Sequence, residues 1–447
     1  MRIREVLPLL AAAVIGMGCG GTARVPVNET IGANPRITAP DKSMLPVMQV
    51  PAARGWSDTA KPRAVERTQV QAFAKGLEHP RWLYVLPNGD VLVAESTAPP
   101  KPPGAKDKTM TGIRGWFAKK EFKKAGAAVP SANRITLLRD KDGDGVAEER
   151  STFLDSLTSP FGMVLVGDEL YIANADAIVH VPYRTGELAI AGRPTKLIDL
   201  PAGLNHHWTK NVIASADGSK LYVTVGSNSN AGENGMAVEE GRASIWEVDR
   251  ASGSHRIFAS GLRNPNGMVW EPTTGALWTV VNERDELGSD LVPDYLTSVK
   301  DGGFYGWPYS YFGKHIDKRV KPQRPDFVAT AIMPDYALSS HVAPLGLALA
   351  DSSVSMPSFR SGMFVGMHGS WNRKPLNGYK VVYVPFVNGK PSGLPVDVLT
   401  GFLSPGGDAY GRPVGVVVDK HGALLVADDV GNTVWRVGGA ERQVVGR

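Results

Sequence analysis

Two adjacent histidines and a tryptophan, His206-His207-Trp208, open the stretch of the chain best equipped for chemistry. Imidazole titrates near neutrality, with an ordinary pKa of about 6.5, so a histidine here can serve as a general base toward an alcohol or as a metal ligand. Adjacent side chains on extended backbone point to opposite sides, which argues against both rings holding one metal. A single base is the better functional reading, beside the plainer alternative of two packing histidines. Twenty residues on, the strand pattern LYVTV ends in a polar loop, Ser227 to Asn230.

Other chemistry-bearing groups recur at similar places. Arg263 and Asn264 in GLRNPNG can fork onto a ligand carboxylate, or form a turn with a surface arginine. Asn282 to Glu286, NERDE, offers oxygens for Ca²⁺ or a solvated charge run. Asp140, Asp142 and Asp144 resemble the start of a calcium loop, but the twelfth position, where the EF-hand needs glutamate, is Ser151. A turn between outer strands is the better reading there. The basic run Lys101 to Lys124 reads as an exposed insertion, helical over Gly112–Ala125. No glycine-rich strand-to-helix phosphate loop, G-x-S-x-G elbow or H-E-x-x-H pair occurs, which excludes nicotinamide dehydrogenases and the common hydrolase and zinc-protease signatures.

The elements that must hold these groups repeat six times. WLYVLPNGDVLVAES begins at Trp82, and FGMVLVGDELYIANAD at Phe161; NVIASADGSKLYVTVGSN begins at Asn211, and GMVWEPTTGALWTVVNE at Gly267. LGLALA to GMFVGMHG spans Leu345 to Gly369, and VGVVVDKHGALLVADD begins at Val414. Each copy is an apolar strand, a turn, a second apolar strand and a polar loop. Six such units predict an all-β fold, a six-bladed β-propeller of four-stranded antiparallel blades over residues 69–438. A β-sandwich or a pair of jelly rolls is the competing all-β architecture. In a propeller the six polar loops converge on one mouth, the natural place for a binding site. Helix is expected to be scarce, with a further short turn near Pro293–Val299.

The chain has 447 residues, 43% hydrophobic and 21% charged, which supports a large core and excludes general disorder. A net charge of +5 is too mild to argue for a nucleic-acid partner. Residues 1–19 read as a secretory signal, with Arg2 and Arg4 before an apolar run, and imply a periplasmic or cell-envelope location. The single cysteine, Cys19, stands where a lipoprotein signal would be cut; membrane attachment by a lipid there and plain cleavage are both open. Residues 20–68 read as a Pro/Ala-rich linker or tail, and 439–447 as a C-terminal tail.

In order, SANRITLLRDKDGDG, NHHWTKN, GLRNPNG, WTVVNERDE, GGFYGWP, HVAPLG, HGSWNR, GRPVGVVVD and LLVADD resemble the pyrroloquinoline-quinone (PQQ)-dependent sugar dehydrogenases, including the soluble aldose, sorbosone and pyranose dehydrogenases. The resemblance spans about Gln71 to Val437. It implies PQQ and Ca²⁺ at the mouth of a six-bladed propeller and oxidation of the anomeric hydroxyl of an aldose, or of a related aldehyde, with an electron acceptor such as a quinone pool or a cytochrome. By motif, His207 corresponds to the general base and Arg412 to an arginine over the quinone. Arg263, Asn264, Arg373 and Asp428 correspond to cofactor contacts, and the main-chain carbonyls of Glu283 and Arg284 to the Ca²⁺ ligands. Two positions depart from the glucose-oxidising members, which carry acids where this chain has His206 and Ser227. A metal-dependent lactonase-like propeller and a non-catalytic binding propeller are the alternatives.

Overall fold

The computed structural model describes residues 21–439, apart from 42–46, 106, 110–114, 116–119, 122 and 127–128. The signal-like segment with Cys19 and residues 440–447 lie outside the described residues.

Six small antiparallel sheets follow one another around a ring. Blade 1 is Pro80–Val85, Val91–Glu95, Arg134–Arg139 and Glu149–Leu154; blade 2 is Met163–Val166, Glu169–Ala173, Ala177–Pro182 and Thr195–Asp199. Blade 3 is Val212–Ala214, Lys220–Val225, Ser244–Asp249 and His255–Ser260; blade 4 is Pro265–Glu271, Ala276–Val281, Pro293–Val299 and Tyr336–Ser340. Blade 5 is Pro344–Ala350, Gly362–Met367, Lys380–Val387 and Val396–Thr400. Blade 6 takes Pro413–Val418, Leu424–Asp428 and Thr433–Gly439 from the C-terminal end, and its outermost strand, Thr68–Lys75, from the N-terminal end. That pairing, with Val70 opposite Val437 and Ala72 opposite Trp435, closes the ring.

The packing explains the sequence pattern. Second strands such as VLVAE and LLVAD are buried at every residue, whereas the outer strand ERSTFL alternates until its end. Six apolar clusters fill the six gaps between neighbouring blades. Tyr171 and Ile172 face blades 3 and 1; Leu425 and Val434 meet Leu83 and Val91 across the seam between blades 6 and 1. Each large apolar side chain buried in these gaps stabilises the ring by about 1.5–3 kcal/mol.

Where first strands meet near the axis, no side chain fits. A Cβ on Gly346 would sit 2.2 Å from the Val414 carbonyl oxygen, and one on Gly162 would sit 2.5 Å from the Val212 amide. Gly267 and Gly415 make the same close approach to the next blade, which accounts for the glycine recurring in the first strand of four repeats.

Residues Pro293–Val299 form the third strand of blade 4, not the helical turn expected from sequence; β-pairing on both sides outweighs the turn-like Pro-Asp start. Among the described residues, helix is confined to Pro325–Thr330, two short 3-10 turns and residues of the 112–125 stretch, most of which lies outside the described residues. No helix is long and apolar enough to cross a membrane among the residues described. The N-terminal segment lies across the ring: Ile31–Gly32 pairs with blade 4, and Arg63–Ala64 with blade 5.

Candidate active site

The loop carrying His207 is held from beneath. Lys210, wholly buried, donates from Nζ to Asn205 Oδ1 at 3.1 Å and to the carbonyls of His207 and Trp208 at 3.2 and 3.3 Å. Burial pushes this ammonium well below its usual pKa, but its oxygen ligands tie residues 205 to 208 into one turn. Arg242 adds a bond to Asn205 Oδ1 at 3.0 Å.

On that turn, His207 Nδ1 lies 2.8 Å from the Ser227 carbonyl oxygen and 3.0 Å from Ser227 Oγ. A carbonyl only accepts, and Ser227 Oγ spends its own proton on the Ser229 carbonyl at 2.7 Å, so Nδ1 carries the ring proton. Nε2 is left with its lone pair. Burial, with Arg263 and His206 nearby, holds the His207 pKa well below 6.5, so the ring is neutral near pH 7. Ser227 thus orients the histidine through its main-chain carbonyl.

Beside it, Arg263 is 3% exposed and almost fully engaged. Its Nη1 donates to the Glu283 carbonyl at 2.7 Å, and its Nη2 to Asn230 Oδ1 at 3.1 Å and Asp285 Oδ2 at 2.8 Å. Burial works against the Asp285 carboxylate, but Arg263 and His341 outweigh it and keep the group ionised. His341 Nδ1 completes the cluster at 3.2 Å from Asp285 Oδ1.

Asn264 stands next to His207, and its Oδ1 is buried without a hydrogen-bond partner. A Cβ on Gly226 would fall 2.5 Å from both Asn264 Oδ1 and His207 Cβ. Gly226→Ala is therefore expected to displace the imidazole and lower kcat by about 10²-fold, with folding intact by circular dichroism.

Glu283 and Arg284 turn their side chains into blade 4. The Glu283 amide donates to Asp294 Oδ1 at 2.7 Å, and Arg284 Nε to Asp317 Oδ2 at 2.5 Å. Burial raises both the Glu283 and Asp294 carboxyls to about 7.

A second Arg–Asp–His cluster faces the first. Asp429 pairs with Arg81 Nη1 and, at 2.9 Å, with His368 Nε2. A carboxylate partner makes His368 Nε2 a donor and leaves Nδ1 free. The Arg81 guanidinium lies 5.6 Å from the Trp208 ring centre, which joins this cluster to the His207 loop. Arg412 lies alongside: its carbonyl accepts from the Asp429 amide, its Nη2 reaches the Tyr379 hydroxyl at 3.4 Å, and its Nε has no partner.

Asp428 is committed to the scaffold. Its carboxylate accepts from Trp56 Nε1 and Trp435 Nε1 at 2.7 and 3.0 Å, and from the amides of Arg412 and Gly431 at 2.8 Å each. Arg373 is buried under the 370–377 loop, donating to Ser340 Oγ and the Pro375 carbonyl at 3.2 and 2.6 Å. Among the described residues, no carboxylate lies within ion-pair distance of Arg373 or Arg412.

His207 and Arg263 share one cavity of about 460 Å³ with Asn230, Asp285 and Trp371. Arg412, Asp428 and Arg373 lie outside its lining, in the walls of blades 5 and 6. Described residues of the blade 1 insertion, Pro99, Lys101, Asp107 and Thr109, line the remaining side of the cavity. Sequence reasoning gave no role to Arg81, His341 or Asp107. His341 sits in HVAPLG, but nothing local marks Arg81 or Asp107. The Asp140 cluster forms a turn between outer strands, where Asp140 accepts from the amides of Gly143 and Gly145.

A family model described as TrAA12-like matches residues 131–295 and 325–440. A pyrroloquinoline quinone-dependent pyranose dehydrogenase of Coprinopsis cinerea is 26% identical over 231 residues, which is 42% of this chain and 31% of that protein's length. The holo form of the PQQ domain of a Coprinopsis cinerea pyranose dehydrogenase superposes with a TM-score of 0.66 at 20% identity, over 87% of this chain and all of that one. A calcium structure of Trichoderma reesei carbohydrate-active enzyme family AA12 gives 0.67 at 18% identity, over 88% and 98%. With the family model covering more than half of its residues, the chain belongs to the TrAA12-like family.

Proposed function

We propose that this protein is a PQQ- and Ca²⁺-dependent oxidoreductase that removes the anomeric hydrogen of a sugar, an aldose or a related sorbosone-like aldehyde hydrate. The observation that carries the reading is a surplus of buried guanidinium in the walls of blades 5 and 6, beside the cavity. Among the described residues Arg373 and Arg412 have no carboxylate within ion-pair distance, although Asp290 acts on Arg373 from farther off, and Arg412 Nε has no hydrogen-bond partner. Burying unpaired cations costs stability, and an anionic ligand with several carboxylates offsets that cost. The residues therefore fit the quinone tricarboxylate. Arg412 and Arg373, in the walls of blades 5 and 6, would hold it with Asn264 and Arg263, whereas the Glu283 carbonyl, offered to the cation with that of Arg284, is taken by Arg263 Nη1 at 2.7 Å and would have to be released before a cation could use it. The names of the Coprinopsis and Trichoderma relatives support the same assignment.

PQQ, when bound, supplies the two-electron acceptor for the hydride of the sugar carbon, and Ca²⁺ the charge that polarises it. The chain's own work is proton handling and orientation. His207 Nε2 takes the hydroxyl proton, and Ser227 keeps Nδ1 protonated so that only Nε2 can accept. Arg263 fixes Asn230 and Asp285 at the cavity wall, and Trp371 supplies an apolar side. His368, hydrogen-bonded to Asp429 at 2.9 Å, is a second imidazole, outside the lining of the His207 cavity, and is the control for the assignment of the base.

The lactonase reading is weaker, because of the four carboxylates it would use, Glu95, Asp176, Glu283 and Asp428, the first and last are spoken for. Glu95 is bound by Arg134, Thr136 and the Glu78 amide, and Asp428 by four donors. An envelope location, with a membrane quinone or cytochrome as acceptor, completes the proposal.

The test is titration of purified protein with PQQ, with and without Ca²⁺, followed by dye reduction with aldoses and aldehydes. A ligand at about 100 times its Kd should stabilise the fold by about 2.7 kcal/mol, seen as a raised melting temperature. No thermal shift and no change in quinone absorbance would remove the reading.

A further inference from the structure

All five N–H groups of the Arg263 guanidinium are spent on oxygens of the chain itself. Nε donates to the Asn230 carbonyl at 3.3 Å, and Nη1 to the carbonyls of Asn282 and Glu283 at 3.3 and 2.7 Å. Nη2 donates to Asn230 Oδ1 at 3.1 Å and to Asp285 Oδ2 at 2.8 Å. The frame around the guanidinium is fixed in its turn. Trp307 Nε1 donates to the Asn230 carbonyl at 2.9 Å, the Asp285 amide donates to Asn230 Oδ1 at 3.0 Å, and His341 Nδ1 lies 3.2 Å from Asp285 Oδ1.

In this pose the arginine has no donor left for a ligand carboxylate. The oxygens it holds are main-chain carbonyls, a side-chain amide and a carboxylate, the hard-oxygen chemistry that a divalent cation takes. Its shortest bond is to the Glu283 carbonyl, the oxygen proposed for Ca²⁺. Ca²⁺ sits about 2.3–2.6 Å from such an oxygen. A guanidinium on the same atom would stand a few ångströms from it, and like charges at that range in a buried site repel strongly. Arg263 on the Glu283 carbonyl and a cation on that carbonyl therefore exclude each other. The side chain has room to leave, since it lines the cavity of about 460 Å³.

We infer that the Arg263 guanidinium is a resident stand-in for the divalent cation. It ties the Glu283 carbonyl to Asp285 in the ligand-free chain, and it gives up that carbonyl when a carboxylate-bearing cofactor and a cation arrive as a pair. The cofactor half rests on the PQQ reading; the exchange of guanidinium for cation at Glu283 can be tested without PQQ. Coupling of this kind is reciprocal, so whatever factor PQQ adds to the Ca²⁺ affinity, Ca²⁺ adds to the PQQ affinity. Removing the guanidinium should therefore act in opposite directions on the two ligands. A residue kept only for the fold would weaken both.

The experiment measures Ca²⁺ and PQQ binding by calorimetry, each alone and with the other present, in wild type and Arg263→Gln. Both full-length proteins also carry Asp140→Asn and Asp144→Asn, which silence the acidic group of residues 140–148 as a competing cation site. Wild type should bind Ca²⁺ alone at least about 10-fold more weakly than with PQQ. Arg263→Gln should bind Ca²⁺ alone about 10-fold more tightly than wild type, and PQQ about 10-fold more weakly. A crystal structure of wild type soaked with Ca²⁺ and PQQ should show Arg263 Nη1 off the Glu283 carbonyl. Folded Arg263→Gln with a Ca²⁺ affinity equal to or weaker than wild type would overturn the proposal. So would a loaded structure in which Nη1 still donates to that carbonyl, and this second result decides the matter if Arg263→Gln does not fold. If wild type bound no PQQ, the PQQ reading and the cofactor half would fall together, while the two Ca²⁺ affinities would still decide the exchange.

Discussion

His207→Ala is expected to lower kcat by about 10²–10⁴-fold while leaving PQQ affinity where it was, because the ring accepts a proton and holds no cofactor charge. The argument rests on the tautomer. With Nδ1–H tied to the Ser227 carbonyl, only Nε2 is free, and a neutral ring is the reactive form. Burial and the nearby Arg263 hold its pKa well below 6.5, which fixes the sign of the pH dependence. The base works when deprotonated, so kcat/KM should be flat through neutrality and fall only as pH drops below about 6.5. A pH–rate profile with its acid limb above that value would contradict the assignment. His368→Ala is the necessary companion. If it abolished turnover while His207→Ala kept it, the base would be the Asp429-bound imidazole instead.

Arg412→Ala and Arg373→Ala should each weaken PQQ binding by about 10²-fold, the usual effect of removing one partner of a buried charge pair. The diagnostic part is what they do to the ligand-free protein. Neither guanidinium has a carboxylate within ion-pair distance among the described residues, so removing Arg412 should leave the unfolding midpoint unchanged or raise it, whereas Arg373→Ala also gives up the longer-range attraction of Asp290 and the bonds to Ser340 and Pro375 and should lower it modestly. Arg263→Ala should behave differently. It would leave Asp285 buried opposite His341 without its cation, at a cost of about 3–5 kcal/mol in stability. Denaturant unfolding of the three apo variants beside cofactor titration separates residues kept for the ligand from one kept also for the fold. If Arg412→Ala destabilised the apo protein as much as Arg263→Ala, the surplus charge would be structural.

Much of the architecture was legible because blade formation is local. A strand, a turn and a strand lie within about twenty residues of one another, and paired apolar runs mark each hairpin, with an Asn-Gly, Gly-Asp or Asp-Gly turn in blades 1, 2 and 3. Even the glycines of the first strands were visible as part of the repeat, although only their 2.2–2.8 Å approach to the next blade explains them. Pro293–Val299 was misread because Pro-Asp is a turn signal, and pairing on two sides overrode it. Asp428 illustrates a different limit. Its match to the family's motif implied a cofactor contact, whereas its carboxylate is held by four donors that include Trp56, 372 positions away.

From the chain of residues alone came the six repeated hairpins, their convergence on one mouth, and His207 and Arg263 as groups suited to that mouth. Tertiary structure decided which imidazole nitrogen is free, which arginines have no acid within ion-pair distance among the described residues, and that Asp107 from another blade lines the cavity. The physical reason is range. Strand and turn preferences are set by neighbours in sequence, but the protonation and partners of a buried polar group are set by atoms that ring closure brings from blades hundreds of residues apart.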